Sequence, residues 1–275
     1  MTAFARELAV AETVAVEAAA LVRSYHGREL VIESKAGDEP VTEADHAANA
    51  LIVARLRAAF PADVILSEEI PDDRSRLGQA RVWMVDPIDG TRDFIMGHGG
   101  FVVMIGLAVD GRPQVGAVAH PLTSKVFVGA IGAGAHLVQP DGSRTELHTS
   151  SRSGPPGIRL VASKSHRTGR VDAVKRALGI EDEMNVGSVG LKIALVCQAE
   201  RDLYVYPGGR TKIWDTCGPE AILLAAGGRI TDVDGRPLAY DQPDLYNRRG
   251  IVASNGPLHD LVIATIAPLV AAVPT

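Results

Sequence analysis

The sequence is poor in cysteine, and this excludes the disulfide-stabilised classes of small protein. Its 275 residues include only two cysteines, Cys197 and Cys217, and they lack the spacing of a zinc site. We therefore expect two buried free thiols in a reducing compartment. A chain of this length can bury a large apolar core, so it needs neither a disulfide nor a metal merely to fold.

An excess of positive charge is also missing. Lys and Arg number 28 against 33 Asp and Glu, which gives a formal net charge of −5. No stretch combines basic with aromatic side chains, so we expect no nucleic-acid partner. The same charge balance argues against binding to an anionic membrane surface. An anionic small molecule stays compatible with it, because a bound metal ion can reverse the local field.

Long uninterrupted apolar runs are absent too. Residues 4–25 show helical periodicity but carry charged side chains throughout, unlike a signal peptide. Residues 258–273 are apolar but contain Asp260 and Pro268, and they are shorter than the ~20 residues of a membrane span. We interpret both stretches as helices packed on a core and expect a cytoplasmic protein.

The order of the predicted elements indicates an α+β protein with two lobes. A segment rich in Ser, Gly, Thr and Pro, residues 140–157, predicts a boundary between an N-terminal lobe (1–145) and a C-terminal lobe (146–275). In the first lobe we predict helices over 4–25 and from Thr42 to 60, and strands over 64–66, 82–85, 102–109, 115–120 and 125–130. In the second we predict helices over 170–178, 191–198, 216–226 and 258–273, alternating with strands over 159–162, 203–206, 230–233 and 250–253.

The segment most informative about function is an apolar strand that ends in two aspartates. It reads Trp83-Met84-Val85-Asp86-Pro87-Ile88-Asp89-Gly90-Thr91. Carboxylates that emerge together from a buried strand repel each other, and a hard divalent cation removes that conflict. The carbonyl of Ile88, between the aspartates, is a candidate third ligand. A functionless Asp-rich turn has the same composition, so this segment alone leaves both interpretations open.

Other acidic residues strengthen the metal interpretation. Glu68 and Glu69 follow the apolar run at 64–66, and Asp45 lies in the first turn of a predicted helix. Asp215 precedes the predicted helix 216–226, where it would also serve as an ordinary N-cap. Each position has a structural explanation of its own. Together they predict one polynuclear metal centre.

These segments resemble the lithium-sensitive, magnesium-dependent phosphatase superfamily that includes inositol monophosphatase and fructose-1,6-bisphosphatase. The first signature is matched by residues 86–91, and the second by Trp214-Asp215 followed by a helix ending at Gly227-Gly228. Ser67-Glu68-Glu69, preceded by residues 41–45, completes the set. The resemblance spans about residues 35–255. It implies a layered αβαβα sandwich, an α+β fold, and often a homodimer.

The resemblance also implies roles for these residues around two or three Mg²⁺ ions. Glu68, Asp86 and the Ile88 carbonyl would hold the first ion, and Asp86, Asp89 and Asp215 the second. A third, weaker ion would lie near Glu68, with Asp45 reaching it through water. Thr91 and Asp45 would orient and deprotonate the attacking water, with Glu68 beside them. The backbone amides of Gly90 and Thr91 would hold phosphate oxygens.

Within the superfamily the chain is most similar to the 3′(2′),5′-bisphosphate nucleotidases, which convert 3′-phosphoadenosine 5′-phosphate to AMP. Residues 212–220 carry the resemblance, together with the loop Ser163-Lys164-Ser165-His166 and a lysine after Gly187-Ser188. The implied substrate contacts are Gly90, Thr91, Ser163, Lys164, His166, Ser188, Lys192 and Arg210. For the basic members the alternatives are a solvated helix lysine at 192, a loop histidine at 166 and an exposed loop arginine at 210.

The main alternative is an inositol-monophosphatase-like enzyme that acts on inositol, sugar or histidinol monophosphates. Such enzymes use a carboxylate before Trp214 to recognise sugar hydroxyls, and residues 206–212 contain none. Arg92-Asp93, after Thr91, fits neither group closely. A metal-binding protein without catalysis would be expected to lack Asp45, Glu68 or Thr91, and all of these are present.

Overall fold

A computed structural model describes residues 3–34, 40–164 and 169–271. The helices are α1 (Ala5–Tyr25), α2 (Glu43–Ala59), α3 (Thr91–Ile95), α4 (Gly169–Leu178), α5 (Val189–Cys197), α6 (Ile213–Ala225) and α7 (His259–Ala271). The strands before residue 147 are β1 (Ile32–Ser34), β2 (Pro40–Thr42), β3 (Val64–Ser67), β4 (Arg81–Asp89), β5 (Val102–Val109), β6 (Arg112–His120), β7 (Lys125–Ala130), β8 (Gly134–Val138) and β9 (Arg144–Glu146). The later strands are β10 (Arg159–Ser163), β11 (Asp182–Val186), β12 (Leu203–Tyr206), β13 (Arg229–Thr231) and β14 (Ile251–Ser254).

Two large sheets organise the molecule. A seven-stranded sheet has the order β3-β4-β5-β6-β7-β8-β9, and a five-stranded sheet has the order β11-β10-β12-β14-β13. In the first sheet β3 and β4 are parallel and the remaining neighbours are antiparallel. In the second, β10 is parallel to β11 and β12, whereas β14 is antiparallel to both of its neighbours. The short strands β1 and β2 form a separate ribbon.

Alternating burial along the strands separates the helical layers. On β4, Trp83 and Val85 join the core under α1 and α2, whereas Val82 and Met84 face α5 and α6. On β10, Val161 faces the same α5–α6 layer, and its neighbours belong to the outer core with α4 and α7. Because successive side chains of a strand point to opposite faces, each sheet is covered on both sides. The layer order is αβαβα, which confirms the predicted fold.

Helix α6 lies in backbone contact with the seven-stranded sheet. A Cβ atom added at Gly106 would lie 2.4 Å from the Gly218 nitrogen, and one at Gly116 would lie 2.0 Å from the Gly218 oxygen. Any side chain on β5 or β6 at these positions would push the helix away. The glycines therefore fix α6 across β5 and β6, next to β4, and this brings the start of the helix to the end of β4.

Three predicted boundaries need the largest corrections. Strand β4 continues through Asp89, beyond the predicted end at 85, because a register shift between Asp86 and Asp89 absorbs Pro87 and pairing with β5 resumes. Strand β6 begins at Arg112, not at 115, and α6 begins at Ile213, before Asp215. The sequence analysis also missed β1, β2, β8, β9 and β11, which are short and largely half-buried or exposed.

None of the helices in the described ranges is long and apolar enough to cross a membrane. Cys197 and Cys217 are both free and buried, as predicted. All strands of the seven-stranded sheet precede residue 147, and all strands of the five-stranded sheet follow residue 158.

Candidate active site

Two parallel strands deliver the first acidic side chains. The amide of Glu68, just after β3, donates a hydrogen bond to the Val85 carbonyl at 3.1 Å, so Glu68 lies beside Asp86. Asp86 is 2% exposed, and its Oδ1 accepts from the amide of Ile88 at 3.1 Å. Asp89 ends the same strand. The ends of β3 and β4 thus place three carboxylates at one edge of the seven-stranded sheet.

Helix α6 brings the fourth carboxylate to the same place. Asp215 is the third residue of the helix, and its Oδ2 accepts from the backbone amide of the N-cap residue Lys212 at 2.8 Å. This bond explains why an acidic residue suits the first turn. Glu68, Asp86, Asp89 and Asp215 all line one cavity of about 250 Å³. Burial first, and then the charges of Glu68, Asp89 and Asp215, raise the pKa of Asp86 well above its usual range.

Asp89 and Lys192 meet at the second wall of the cavity. Asp89 Oδ2 accepts from the Ser188 hydroxyl at 2.6 Å and from the Gly190 amide at 2.9 Å, which are groups at the start of α5. Lys192 is only 3% exposed, donates to the Gly187 carbonyl, and lies 5.1 Å from the ring centroid of Tyr204. Burial lowers the pKa of Lys192 to about 8, although nearby carboxylates oppose that shift. The alternative of a solvated helix lysine is therefore wrong.

The hydroxyl of Thr91, which lines the cavity, lies in contact with the carboxylate of Asp45. The Thr91 hydroxyl lies 3.3 Å from Asp45 Oδ1 and 3.0 Å from the Ile88 carbonyl, and it can donate to either. Asp45 is 1% exposed, and its other oxygen accepts from the amide and the hydroxyl of Thr42 at 2.8 and 2.6 Å. The capping box of α2 thus orients Asp45 toward Thr91. Gly90, which precedes Thr91, has a φ of 105°, and a Cβ there would lie 2.5 Å from the Gly100 carbonyl.

The residues suggested for substrate contacts divide into two groups. Gly90, Thr91, Ser163, Ser188, Lys192 and Arg210 line the cavity, and Arg210 is exposed. Lys164 is not itself a lining residue, but its ammonium group lies 3.8 Å from Oδ1 of the lining residue Asp93 and 3.2 Å from His98 Nδ1, so its suggested role stays a prediction. His166 lies outside the described residues.

Sequence reasoning missed three residues that form cavity walls. Tyr204 and Tyr206 line it from β12, and their i, i+2 spacing on an apolar strand was the available signal. Asp93 lines it from α3 and is 6% exposed. A Cβ at Gly100 or Gly187 would lie 2.2 or 2.1 Å from Asp93 Oδ2, so two glycines distant in sequence make room for this carboxylate. No local pattern reveals that kind of packing.

The donor set fits a hard cation. The converging groups are carboxylates and a carbonyl, with no thiol and no imidazole among the residues that line the cavity, and oxygen ligands suit Mg²⁺. Within the described ranges, no three Asp, Glu, His or Cys side chains are already arranged to hold an ion. The protein's own donors explain this, because Ser188 and Gly190 bond to Asp89 and Lys212 bonds to Asp215. Small rotations of these carboxylates would accompany metal binding.

Comparison with known proteins gives a consistent result. The model of the inositol monophosphatase family matches residues 5–271. The 3′(2′),5′-bisphosphate nucleotidase CysQ of Escherichia coli (strain K12) is 34% identical over 237 residues, which cover 86% of this chain and 94% of that protein. A 3′-phosphoadenosine 5′-phosphate phosphatase of Mycobacterium tuberculosis is 34% identical over 221 residues, or 76% of each chain.

Solved structures show the same fold. CysQ from Bacteroides thetaiotaomicron superposes with a TM-score of 0.78 at 28% identity and covers 92% of this chain and 98% of that one. The IMPase TM1415 of Thermotoga maritima superposes with a TM-score of 0.81 at 24% identity, over 97% and 98% of the two chains. At that identity the second match supports the fold alone. With the family model spanning nearly the whole sequence, the chain belongs to the inositol monophosphatase family.

Proposed function

We propose that the chain is a magnesium-dependent phosphatase that removes the 3′-phosphate from a bisphosphate nucleotide such as 3′-phosphoadenosine 5′-phosphate, leaving AMP. The observation that supports this most directly is the composition of one cavity. It holds five carboxylates, four of which are the candidate metal ligands, and the buried ammonium group of Lys192. The first group suits metal-assisted phosphoryl transfer, and the second suits an additional anionic group on the substrate.

The carboxylates would hold the metal ions. Glu68, Asp86 and the Ile88 carbonyl form one candidate ligand set, and Asp86, Asp89 and Asp215 form another. Bound Mg²⁺ would neutralise phosphoryl oxygens and lower the pKa of the attacking water. Without cations, this many carboxylates would repel a phosphate ester, so the charge of the site itself supports metal dependence.

Thr91 and Asp45 are suited to proton transfer. When the Thr91 hydroxyl donates to Asp45 Oδ1, at 3.3 Å, its oxygen can accept a hydrogen bond from a water molecule in the cavity. A water molecule that donates to Thr91 in this way would direct a lone pair of its oxygen away from Thr91 and toward the phosphorus of a bound substrate. The Thr42 bonds to Asp45 keep the pair aligned, because they occupy the other carboxylate oxygen.

The wall formed by Lys192, Tyr204 and Tyr206 supports a nucleotide over a smaller substrate. Lys192 offers a positive charge, and the tyrosines offer apolar faces within the same cavity. Residues 206–212 contain no carboxylate for a sugar hydroxyl, and exposed Arg210 adds positive charge there. The names of the similar proteins in Escherichia coli and Mycobacterium tuberculosis agree with this substrate class. Inositol or histidinol monophosphates have less support.

Further expectations belong to the same proposal. We expect a cytoplasmic enzyme that binds a small phosphorylated metabolite and uses two or three Mg²⁺ ions, and the family resemblance allows a homodimer. We expect lithium to inhibit it by replacing the magnesium ion held by Asp86, Asp89 and Asp215.

The test is phosphate release, with and without Mg²⁺, from 3′-phosphoadenosine 5′-phosphate, 3′-AMP, inositol 1-phosphate and histidinol phosphate. The highest kcat/KM is expected for the bisphosphate. Lys192→Met should lower that value roughly 10- to 100-fold, as expected for a lost charged hydrogen bond, and should affect 3′-AMP much less. Lys125→Met, on β7 and outside the cavity lining, is the matched control and should stay near wild type. A wild-type preference for inositol 1-phosphate would refute the assigned substrate but not the metal chemistry.

A further inference from the structure

Glu220 is a buried carboxyl group that the proposed chemistry does not use. It lies on α6, five residues after Asp215, is 4% exposed, and is not among the residues that line the cavity. Its Oε2 lies 2.5 Å from the hydroxyl of Tyr240, which is 1% exposed. A buried carboxylate with a single donor would be strongly destabilising, so the protonation state of Glu220 requires an explanation.

The hydrogen bonds around Thr216 supply that explanation. Thr216 Oγ1 lies 3.3 Å from the Ile213 carbonyl, 3.3 Å from Asn247 Nδ2 and 3.2 Å from the Tyr240 hydroxyl. A hydroxyl has one proton, and the Ile213 carbonyl can only accept, so Thr216 donates to it. The Thr216 oxygen must then accept from Asn247 and from Tyr240.

Tyr240 has one proton but lies within hydrogen-bond distance of both the Thr216 hydroxyl and the Glu220 carboxyl, so it can donate to only one of them. If Tyr240 gives its only proton to Thr216, its oxygen must accept one from Glu220, and this requires a protonated carboxyl group. Burial raises the pKa of Glu220 to about 8, although Tyr240 and the charge of Arg112 oppose that shift. The titratable or charged groups that face Glu220, among the described residues, are Tyr240, Cys217 on α6 and Arg112 on β6. None of these groups is a second carboxylate that could take up the proton in place of Glu220.

We propose that Glu220 is a positioning residue, which acts through Tyr240 and Thr216 to hold the first turn of α6 and thereby aim the Asp215 carboxylate into the cavity. Glu220, Tyr240 and Thr216 form a hydrogen-bonded relay. The role of Asp215 in this inference rests on the proposed function, whereas the relay itself does not.

The location of the relay explains why it would affect Asp215. At Gly218, backbone contact with Gly106 and Gly116 already fixes α6 on the sheet. The first turn lacks that contact and is held by one backbone hydrogen bond, from the Ile213 amide to the Leu245 carbonyl at 2.9 Å, and by side chains. Thr216 bonds to the Ile213 carbonyl, and Asn247 Nδ2 bonds both to Thr216 and, at 3.2 Å, to the Lys212 carbonyl. Lys212 is the residue whose amide orients Asp215.

The experiment compares wild type, Glu220→Gln and Tyr240→Phe. Glu220→Gln keeps a neutral donor of the same shape, whereas Tyr240→Phe removes the middle hydroxyl of the relay. The Kd for Mg²⁺ is measured by calorimetry on substrate-free protein at pH 7 and pH 9. Tyr240→Phe is expected to weaken binding by roughly 10-fold or more at pH 7, the usual effect of losing a partner of a metal ligand. Glu220→Gln should stay within about 2-fold of wild type there.

At pH 9 wild type and Glu220→Gln should separate. Ionised Glu220 would accept the Tyr240 hydroxyl proton, so Thr216 would have to donate to Tyr240 and would lose its bond to the Ile213 carbonyl. Wild type should then bind Mg²⁺ more weakly than Glu220→Gln. Loss of the Lys192 charge at high pH would strengthen cation binding equally in both proteins, so it cannot produce this difference. Identical pH dependence in wild type and Glu220→Gln, or an unchanged Kd in Tyr240→Phe, would overturn the inference.

A second measurement tests the relay without metal. The pKa of Glu220 is raised in the folded protein, so its contribution to stability is present below the unfolded value of 4.5 and is lost as pH rises toward 8. Between pH 5 and pH 8, the Tm of wild type should therefore fall relative to the Tm of Glu220→Gln. A constant Tm difference would refute the relay. A wild-type protein that binds no Mg²⁺ would refute the proposed function and the part played by Asp215, while the Tm comparison would still test whether Glu220 is protonated at neutral pH.

Discussion

His259 should make the protein sensitive to mild acid. The imidazole is fully buried at the start of α7, between the Thr231 and Ser254 hydroxyls at 2.9 Å each. Thr231 donates its own proton to the Asp232 carbonyl at 2.7 Å, so it must accept from His259 Nε2. Nδ1 then accepts from Ser254, whose oxygen accepts from the Gly256 amide. These partners fix the neutral tautomer and leave no acceptor arranged for a second proton.

The size of the effect follows from the pKa. Burial, helped by the charge of Arg229 and opposed by Asp260, lowers the pKa of His259 from 6.5 to about 4. An unfolded chain therefore binds a proton on this histidine between pH 6.5 and pH 4, where the folded chain does not. The stabilisation is complete above pH 6.5 and is lost as pH falls toward 4. At pH 4.5 the loss of unfolding free energy amounts to about 2–3 kcal/mol.

The assay is urea unfolding of metal-free protein at pH 7 and pH 4.5, for wild type, His259→Gln and His148→Gln. His259→Gln should be less stable at pH 7, because it loses packing, but its fall in unfolding free energy on acidification should be about 2–3 kcal/mol smaller than that of wild type. His148 is exposed, so its replacement should leave the fall unchanged. Titration of other groups cancels in this double difference. If the unfolding free energy of His259→Gln falls as much as that of wild type between pH 7 and pH 4.5, the assigned tautomer and its hydrogen bonds are wrong.

Two further predictions concern buried aspartates. The raised pKa of Asp86 means that its ionisation destabilises the metal-free fold as pH rises, so Asp86→Asn should raise Tm at pH 8 by a few °C and abolish the Tm increase that Mg²⁺ gives wild type. An unchanged Mg²⁺ response would contradict the ligand assignment. Asp202 has a fully buried side chain that accepts from Ser150, Arg152 and Arg159, so Asp202→Asn should cost about 3–5 kcal/mol in urea unfolding at pH 7. The exposed pair of Asp260 with Arg229 provides the control, since Asp260→Asn should cost under about 1 kcal/mol.

The parts of the site that local sequence predicts are those built by one element and its end. Asp86 and Asp89 follow an apolar run, and the αL conformation of Gly90 suits the turn into α3. Asp45 lies in a capping box that also has a sequence signature. Because β3 and β4 are parallel, Glu68 reaches the same edge. These features depend on periodicity and on turn chemistry, which a single sequence records.

The parts that could not be predicted depend on contacts between distant segments. Asp93 fits only because Gly100 and Gly187 leave room for its carboxylate, and Lys192 is buried because Tyr204 covers it. The position of Lys164 also depends on distant segments, since its ammonium group lies next to Asp93 and His98. Short strands such as β9 carry no apolar pattern, so only their neighbours in the sheet define them.

The charges that line the cavity relate Lys192 and Lys212 to the proposed chemistry. Lys192 lies over the ring of Tyr204 at 5.1 Å and Lys212 over that of Trp214 at 5.3 Å, and Lys212 Nζ also lies 3.5 Å from Glu68 Oε1. Each ammonium group is therefore held between an aromatic face and the carboxylates. The described residues that line the cavity include five carboxylates, against four basic side chains, so by formal charge the protein alone presents a net negative site to an anionic ester. Divalent cations reverse that sign at the floor of the cavity, and Lys192 then adds to the attraction instead of offsetting a repulsion. A second phosphate on the substrate would therefore increase affinity only when the metal is bound, which makes the nucleotide preference itself dependent on Mg²⁺.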